Sequence, residues 1–235
     1  MLVPLPDVIT FSKCPAYFEF SKKYQHPPES QRMAILMEAM QKCYWKQMSG
    51  WKPNRRQLIG WVDQPIFKGV DVTKDDQIEK GKKLSESILL PLAAWYEKSF
   101  VSEQIEGYIN LPLSFTRGGH QITAEVPILK LTDPLTILLV SDIEHSYLQL
   151  YNSLWARGLG WLVARHFNHK EVVVERMWVG AREQIDTKIL KCTEELNKRT
   201  EKAILSIADQ IAAGVNYPSF TPMCNQCPFR RDCIL

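Results

Sequence analysis

The residues of this chain with the clearest potential for chemistry are four cysteines near its two ends. Three of them, Cys224, Cys227 and Cys233, have C-x2-C-x5-C spacing, which is too close for three unrelated core positions. The fourth, Cys14, lies more than two hundred residues upstream and directly before Pro15. Thiolates grouped in this way are typical of metal centres. One centre that binds all four would draw both ends of the chain together.

Two kinds of metal centre suit four thiolates. Zinc accepts four cysteines, but structural zinc sites usually come as paired C-x2-C knuckles. Iron–sulfur clusters often combine a tight run of cysteines with a distant one, and a proline beside a ligand is typical of them. The one-plus-three spacing therefore fits an iron–sulfur cluster more closely, and zinc stays open. The alternative is ordinary buried cysteine, and this is how we interpret Cys43 and Cys192, which lie in apolar stripes.

Composition bounds both the fold and the partners. The chain has 235 residues, of which 45% are hydrophobic and 23% charged, enough for an ample core. The formal net charge of +3 predicts no global basic field, so any nucleic-acid surface must be local. The N-terminal segment lacks the pattern of a signal peptide, and no stretch approaches the roughly 20 apolar residues of a membrane span. We therefore expect a cytoplasmic protein with reduced thiols and no membrane contact.

Hydrophobic periodicity predicts a mixed α/β chain. Helices are expected over 10–24, 31–48, 74–99, 146–167 and 183–213, and strands over 104–115, 120–131, 135–143 and 171–179. The glycines and prolines of 49–72 predict an irregular segment. Pro91 predicts a kink in the helix over 74–99, because a proline removes a backbone donor there. The expected core is therefore helix, three strands, helix, strand.

This element order, flanked by the one-plus-three cysteine set, resembles the RecB-like branch of the PD-(D/E)XK nuclease superfamily. It is most similar to the iron–sulfur members, which are AddB-type helicase–nuclease subunits and CRISPR-associated single-strand exonucleases. The residues that carry the resemblance are Ile9-Thr10-Phe11-Ser12-Lys13-Cys14-Pro15, Tyr217-Pro218 and Cys224-Asn225-Gln226-Cys227-Pro228-Phe229-Arg230-Arg231-Asp232-Cys233.

The resemblance implies a restriction-endonuclease-like αβββαβ core with added N- and C-terminal helices. It also implies that a 4Fe–4S cluster on Cys14, Cys224, Cys227 and Cys233 ties these helices together. One domain is expected over the whole chain. Its parts are an N-terminal helical part over 1–72, the core over 73–180, and a C-terminal helix with a cluster-binding tail over 181–235.

The family hydrolyses DNA with carboxylates that bind Mg²⁺ or Mn²⁺ and with a lysine that positions the nucleophile. The resemblance puts an Asp late on the second strand, where this chain has Pro127, and the lysine on the third strand, where it has Glu144. Glu125, Asp142 and Glu144 remain as an all-acidic candidate site, with Glu125 and Asp142 as metal ligands. His145 is a further candidate beside them.

Other catalytic features of the family are also displaced. The helices predicted over 31–48 and 74–99 carry no histidine, and Gln149 and Tyr151 are out of register with the family's Gln-x3-Tyr. Lys130 is the nearest lysine that could replace the missing one. The alternative interpretation is that the acidic residues only solvate the end of a sheet. The resemblance therefore implies a nuclease fold with impaired or lost catalysis.

Arginines close to tryptophans supply the candidates for DNA contact, since cations bind phosphates and indoles stack on bases. Packing explains the tryptophans equally well, and Trp51 is an alternative stacking residue. The candidates for DNA binding are Arg55, Arg56, Trp61, Arg157 and Arg165.

Together these features predict an iron–sulfur protein that binds single-stranded DNA on a nuclease fold. Its expected setting is DNA replication, recombination, repair or a CRISPR-type process, with protein partners in a DNA-processing complex. Two alternatives stay open. One is an active single-stranded DNA exonuclease that uses Mg²⁺ or Mn²⁺ with Glu125, Asp142 and Glu144. The other is a non-catalytic scaffold subunit that binds only proteins.

Overall fold

The structure is a computed structural model that describes residues 1–23, 31–68, 73–99, 105–141, 146–179 and 185–215, and Cys224, Cys227 and Cys233. The helices are α1 (Leu5–Lys13), α2 (Pro15–Lys23), α3 (Gln31–Met48), α4 (Arg55–Phe67), α5 (Asp75–Ser99), α6 (Tyr147–Asn152), α7 (Leu154–His166) and α8 (Glu194–Ala212). The strands are β1 (Leu2–Pro4), β2 (Gly107–Arg117), β3 (His120–Lys130), β4 (Leu135–Ser141), β5 (Val172–Val179) and β6 (Ile185–Cys192). None of the described helices is long and apolar enough to cross a membrane.

The strands form one mixed sheet around β3. β2 pairs antiparallel along the whole of β3 and occupies one of its edges. β1 and β4 share the other edge, where they pair with residues 121–123 and 129–130 of β3. Beyond β4 follow β5, which is parallel to it, and β6, which is antiparallel to β5. On the edge shared by β1 and β4, residues 124–128 of β3 have no partner among the described strands.

Helices cover both faces of the sheet, which gives two apolar cores. We call the core under α1, α7 and α8 the first core, and the core under α3, α4 and α5 the second core. Fully buried side chains of the first core include Leu5, Ile122, Val126, Ile137, Leu159, Trp161 and Ile204. Those of the second core include Leu36, Met40, Ile88, Leu92 and Ile128. This three-layer arrangement is the stable one for a sheet with apolar residues on both faces.

The β2–β3 hairpin changes faces at a single point. Leu113 and Val126 lie in the first core, whereas Ile128, further along β3, is buried in the second and Ile109 packs against it. Between these pairs Asn110 has a φ of +51°, a left-handed conformation that asparagine tolerates better than most residues. Pro127 is its neighbour across the hairpin and has no backbone N–H to donate. We call this position the Asn110–Pro127 rung.

The predicted order of helix, three strands, helix and strand is the order observed, with the second helix split. That helix, expected over 146–167, divides at Ser153, whose side chain accepts from the amide of Ala156 and caps α7. The helix α5 is continuous through Pro91. At the N-terminus the helix expected over 10–24 is replaced by β1, α1 and α2, and Cys14 separates the two helices.

Two other predictions about secondary structure are wrong. The segment 49–72, expected to be irregular, contains α4, which begins at a capping box formed by Asn54 and Gln57. The helix expected over 183–213 is the strand β6 followed by α8, because Thr193 caps α8 and leaves the preceding residues free to pair with β5. Cys192 is therefore a buried strand residue, as an ordinary core cysteine would be.

Candidate functional site

The four terminal cysteines lie in one region of the molecule. The backbone N–H of Tyr17 in the first turn of α2 donates to the Sγ of Cys14 over 3.4 Å. Cys14 thus lies between the end of α1 and the first turn of α2, where its sulfur accepts a backbone hydrogen bond. In the C-terminal run, the backbone N–H of Cys227 donates to the carbonyl of Cys224 over 3.4 Å. No disulfide joins any of the chain's cysteines, all of which are described.

The pKa of Cys233 responds to the other three thiols of the set. Burial raises the pKa of Cys233, and the charges of Cys14, Cys227 and Cys224 raise it further. Charge–charge interaction weakens with distance, so the three thiols are within electrostatic reach of Cys233. Bringing four negative thiolates together is unfavourable unless a cation or a cationic cluster neutralises them. The binding of all four thiols by one centre stays a prediction from their spacing.

The four thiols are suitable metal ligands by type, but their arrangement is not that of a metal site. Four thiols with an N–H···S hydrogen bond at one of them are the donors that an iron–sulfur cluster or zinc takes. Yet no set of three or more His, Cys, Asp or Glu side chains in the described ranges is arranged to hold a metal ion. The chemistry of the donors fits a four-thiolate centre, and the cofactor stays a prediction.

The β3 position to which the resemblance assigns a metal-binding Asp belongs to the Asn110–Pro127 rung. Here the side-chain amide of Gln41 on α3 donates to the carbonyl of Pro127 over 3.2 Å and to the Oδ1 of Asn110 over 2.6 Å. Glu125, two residues earlier, is exposed. Because Ala124 and Val126 face the first core, alternation turns Glu125 toward the face that α3 covers.

Asp142, Glu144 and His145 lie outside the described residues. The last described residue before them is Ser141, at the end of β4. The β3–β4 register is fixed by Leu129 opposite Ile137 and by the next pair along. Extended without a break, this register would bring Ser141 opposite Glu125. The observed pairing stops before that point, so the structure tests neither the acidic cluster nor its metal binding.

Lys130 is held by side chains of α3 and β5. Its Nζ lies 3.3 Å from the Oε2 of Glu175 and 5.4 Å from the centroid of the Tyr44 ring. Burial opposes its charge, but Tyr44 and Glu175 outweigh burial and raise its pKa. Five residues of strand separate Lys130 from Glu125, which is about 16 Å at about 3.3 Å per residue. Lys130 is therefore a structural cation of the second core.

The two arginines proposed on α7 are placed differently, and one of them has partners inside the protein. Arg165 donates to the Oε2 of Glu201 from Nε over 3.1 Å and from Nη2 over 2.7 Å. Arg117 and the indole of Trp161 bind the same carboxylate. Arg157 is half-buried, and its charge acts on Cys192, whose pKa burial raises to about 12. The contacts with Glu201 give Arg165 a structural role, whereas the buried Nε of Arg157 has no hydrogen-bond partner among the described residues.

The arginines proposed on α4 have no such partners among the described residues, and they lie in a basic, aromatic surface segment over 45–56. Arg55 and Arg56 are exposed in the first turn of α4. Trp51, just before them, is 70% exposed, and Trp45 is 56% exposed. Sequence reasoning missed Trp45, because a tryptophan within an apolar helix usually packs. Trp61 packs half-buried against the second core, so the more accessible stacking surfaces are the other two indoles.

Comparison with solved structures gives a likeness over almost the whole chain. A protein from Eubacterium rectale, provisionally named an exonuclease, matches with a TM-score of 0.56 at 10% identity, covering 99% of this chain and 88% of that one. The two chains share a fold. The structure of SSO0001 matches at 14% identity over 92% of each chain, with a TM-score of 0.39. No protein-family model and no curated protein matches the sequence.

The shared fold confirms the coarse architecture predicted from the sequence. The chain is a mixed α/β protein whose six described strands form one sheet, and it shares this fold with the Eubacterium rectale protein. At 10% identity such a likeness concerns the fold alone. The RecB-like branch, the cofactor, DNA binding and the state of catalysis are therefore proposals.

Proposed function

We propose that this protein is an iron–sulfur-containing, single-stranded DNA-binding protein on a RecB-like nuclease fold in which catalysis is impaired or lost. The observation that carries the proposal is the Asn110–Pro127 rung. At the position of a metal-binding carboxylate, the chain has a proline whose carbonyl is already bonded to Gln41. A binding groove can outlast catalysis and serve recruitment, strand separation or protection in a DNA-processing complex.

The surface segment over 45–56 supports the DNA-binding part of the proposal. Its cations can pair with phosphates and its two exposed indoles can stack on bases without regard to sequence. Lys46 adds a charge, with its Nζ 5.0 Å from the centroid of the Trp45 ring. Single strands suit this surface better than duplex, because only unpaired bases offer their faces for stacking.

Replacing both Arg55 and Arg56 by Gln should make single-stranded DNA binding less dependent on salt. Each phosphate paired with a cation releases condensed counterion and contributes roughly 0.7 to the slope of log affinity against log salt. The double variant should therefore lower the slope by up to about 1.4. Fluorescence anisotropy with labelled oligothymidine at several salt concentrations measures the slope.

The control removes two lysines from an exposed face of α5. Lys80 and Lys83 form i,i+4 ion pairs there, so Lys80→Gln with Lys83→Gln removes the same formal charge elsewhere. Trp51→Leu should weaken binding roughly fivefold or more at an unchanged slope, because it removes stacking alone. Equal slopes in the two double variants would reject the segment as the DNA surface.

Purified protein with Mg²⁺ or Mn²⁺ is expected to leave single- and double-stranded DNA uncut. The physical reason is the loss of one carboxylate ligand at Pro127 and of the lysine cation, whose position Glu144 takes. The measurement is a gel assay with end-labelled DNA over hours at enzyme excess. Metal-dependent cutting that disappears in both Asp142→Ala and Glu125→Gln, with the fold intact, would instead establish the exonuclease alternative.

The scaffold alternative predicts no binding to DNA at any salt concentration. The grouping of thiols from both chain ends supports the cluster equally under either function, since in both it would hold the ends together. The DNA-binding measurements therefore separate the proposal from the scaffold, and the cleavage assay separates it from the exonuclease.

A further inference from the structure

An open cleft of about 290 Å³ lies between α6, the end of β6 and the start of α8. The side chains that line it are Tyr147, Tyr151, Lys191, Thr193, Glu195, Leu196 and Arg199. It is separated from the segment over 45–56 in sequence and lies at the β6 edge of the sheet. The lining therefore combines two phenol rings with two cations.

The rings of the cleft offer a stacking surface. Tyr147 is 55% exposed, and its ring centroid lies 6.3 Å from that of Tyr151, one helical turn away. Stacked aromatic rings are about 3.4 Å apart, so a base inserted between the two would need about 6.8 Å. An added planar ring would therefore stack on the exposed ring of Tyr147 rather than between the two tyrosines.

The charges of the cleft favour an anion at one point. Arg199 forms an ion pair with Glu195, so these two side chains largely cancel. Lys191 is exposed and forms no ion pair in the described part of the chain. It is therefore the uncompensated cation beside the two tyrosines. A ligand that places a planar ring on Tyr147 and an anionic group next to Lys191 would have the features of a nucleotide.

We infer that this cleft binds one nucleotide of a single-stranded nucleic acid, with the base on Tyr147 and its phosphate at Lys191. The inference rests on the proposed function and adds a second contact region to it. A strand that reaches both regions would gain affinity over one that reaches only the first, since the second contact becomes intramolecular.

The test compares Tyr147→Leu with Tyr108→Leu. Tyr108 is an exposed tyrosine on β2, outside the cleft, and serves as the matched control. Binding of thymidine monophosphate is measured by titration calorimetry, and binding of a twenty-nucleotide oligothymidine by anisotropy. Tyr147→Leu should weaken both by roughly five- to 150-fold, and Tyr108→Leu should change neither. Lys191→Gln should also reduce the salt slope for the oligonucleotide by about 0.7.

Each outcome decides something. Oligonucleotide binding that is equal in the two tyrosine variants overturns the cleft inference and leaves the proposed function standing. Binding of the mononucleotide that depends on Tyr147, without oligonucleotide binding, keeps the cleft as a nucleotide site and overturns the proposed function. Wild-type protein that binds neither probe overturns both.

Discussion

Replacing Cys14 by Ala is expected to give a colourless protein that aggregates or is digested quickly by protease. Wild-type protein purified without oxygen should be brown and contain iron and sulfide in roughly equal amounts. The reason is that the proposed cluster joins residues more than two hundred positions apart. By analogy with a disulfide closing such a loop, losing the tie would cost on the order of 5 kcal/mol of stability. Absorption spectra, metal analysis and limited proteolysis measure these effects.

Cys43→Ala is the matched control. Cys43 is fully buried in the second core, whereas Cys14 is half-buried, so a packing effect alone would be larger at Cys43. We expect Cys43→Ala to keep the colour and most of the stability. Stoichiometric zinc without iron in anaerobically prepared protein would replace the cluster by a zinc site. Equal behaviour of the two variants would contradict any four-thiolate tie.

Glu201→Gln is expected to destabilise the fold by about 2–3 kcal/mol. Glu201 is only 5% exposed and accepts from Trp161 and Arg165, with Arg117 as a second cation. The variant keeps the volume but leaves the cations without a charged partner. The estimate is below the full cost of breaking a buried ion pair, because both guanidinium groups are partly exposed and regain water. Urea unfolding measures the difference.

The effect of this substitution should depend on pH in a defined direction. Burial opposes ionisation of Glu201, but the hydrogen bonds from Trp161 and Arg165 and the two arginine charges outweigh it and lower the pKa. A lowered pKa stabilises the folded state above the unfolded value, about 4.3 for Glu. The difference between wild type and variant should therefore be constant near neutral pH and shrink as the pH falls below about 4.

Glu195→Ala is the control for this prediction, because Glu195 lies on the same helix in an exposed i,i+4 pair with Arg199. Such a pair contributes at most about 0.5 kcal/mol. A cost for Glu201→Gln no larger than that would show that the buried carboxylate is not the centre of the α7–α8 contact.

The secondary-structure elements that were predicted correctly are those with strong local signals in the sequence. The turn between β2 and β3 has glycines at 118 and 119, both with positive φ, and the flanking strands alternate clearly. The strand β6 was missed because Ile185, Ile189 and Cys192 also fit a helical spacing. Only Thr193, a helix-capping residue, marks where the helix begins. Local periodicity could not decide between the two, and pairing with β5 did.

The residues of the candidate site also differ in whether a local sequence signal marks them. The four cysteines could be named from the sequence because their spacing is itself the signal, and their binding of one centre stays a prediction. The role of Arg165 was not, since its partner Glu201 lies 36 residues away on another helix. Likewise nothing near Trp45 in the sequence shows that its ring points to solvent. Long-range pairing and side-chain exposure are set by tertiary packing, which a single sequence does not display.

The Asn110–Pro127 rung has a consequence for the order in which the protein folds. A hairpin closed by a tight turn forms early, because its two strands need little chain entropy to meet. Since the two ends of this hairpin face different cores, one early event offers a nucleus to both helical layers. A slip of one residue in the hairpin would turn its apolar side chains away from both layers at once. The register of this one hairpin therefore determines which of its side chains enter each core, and it is set before either core is complete.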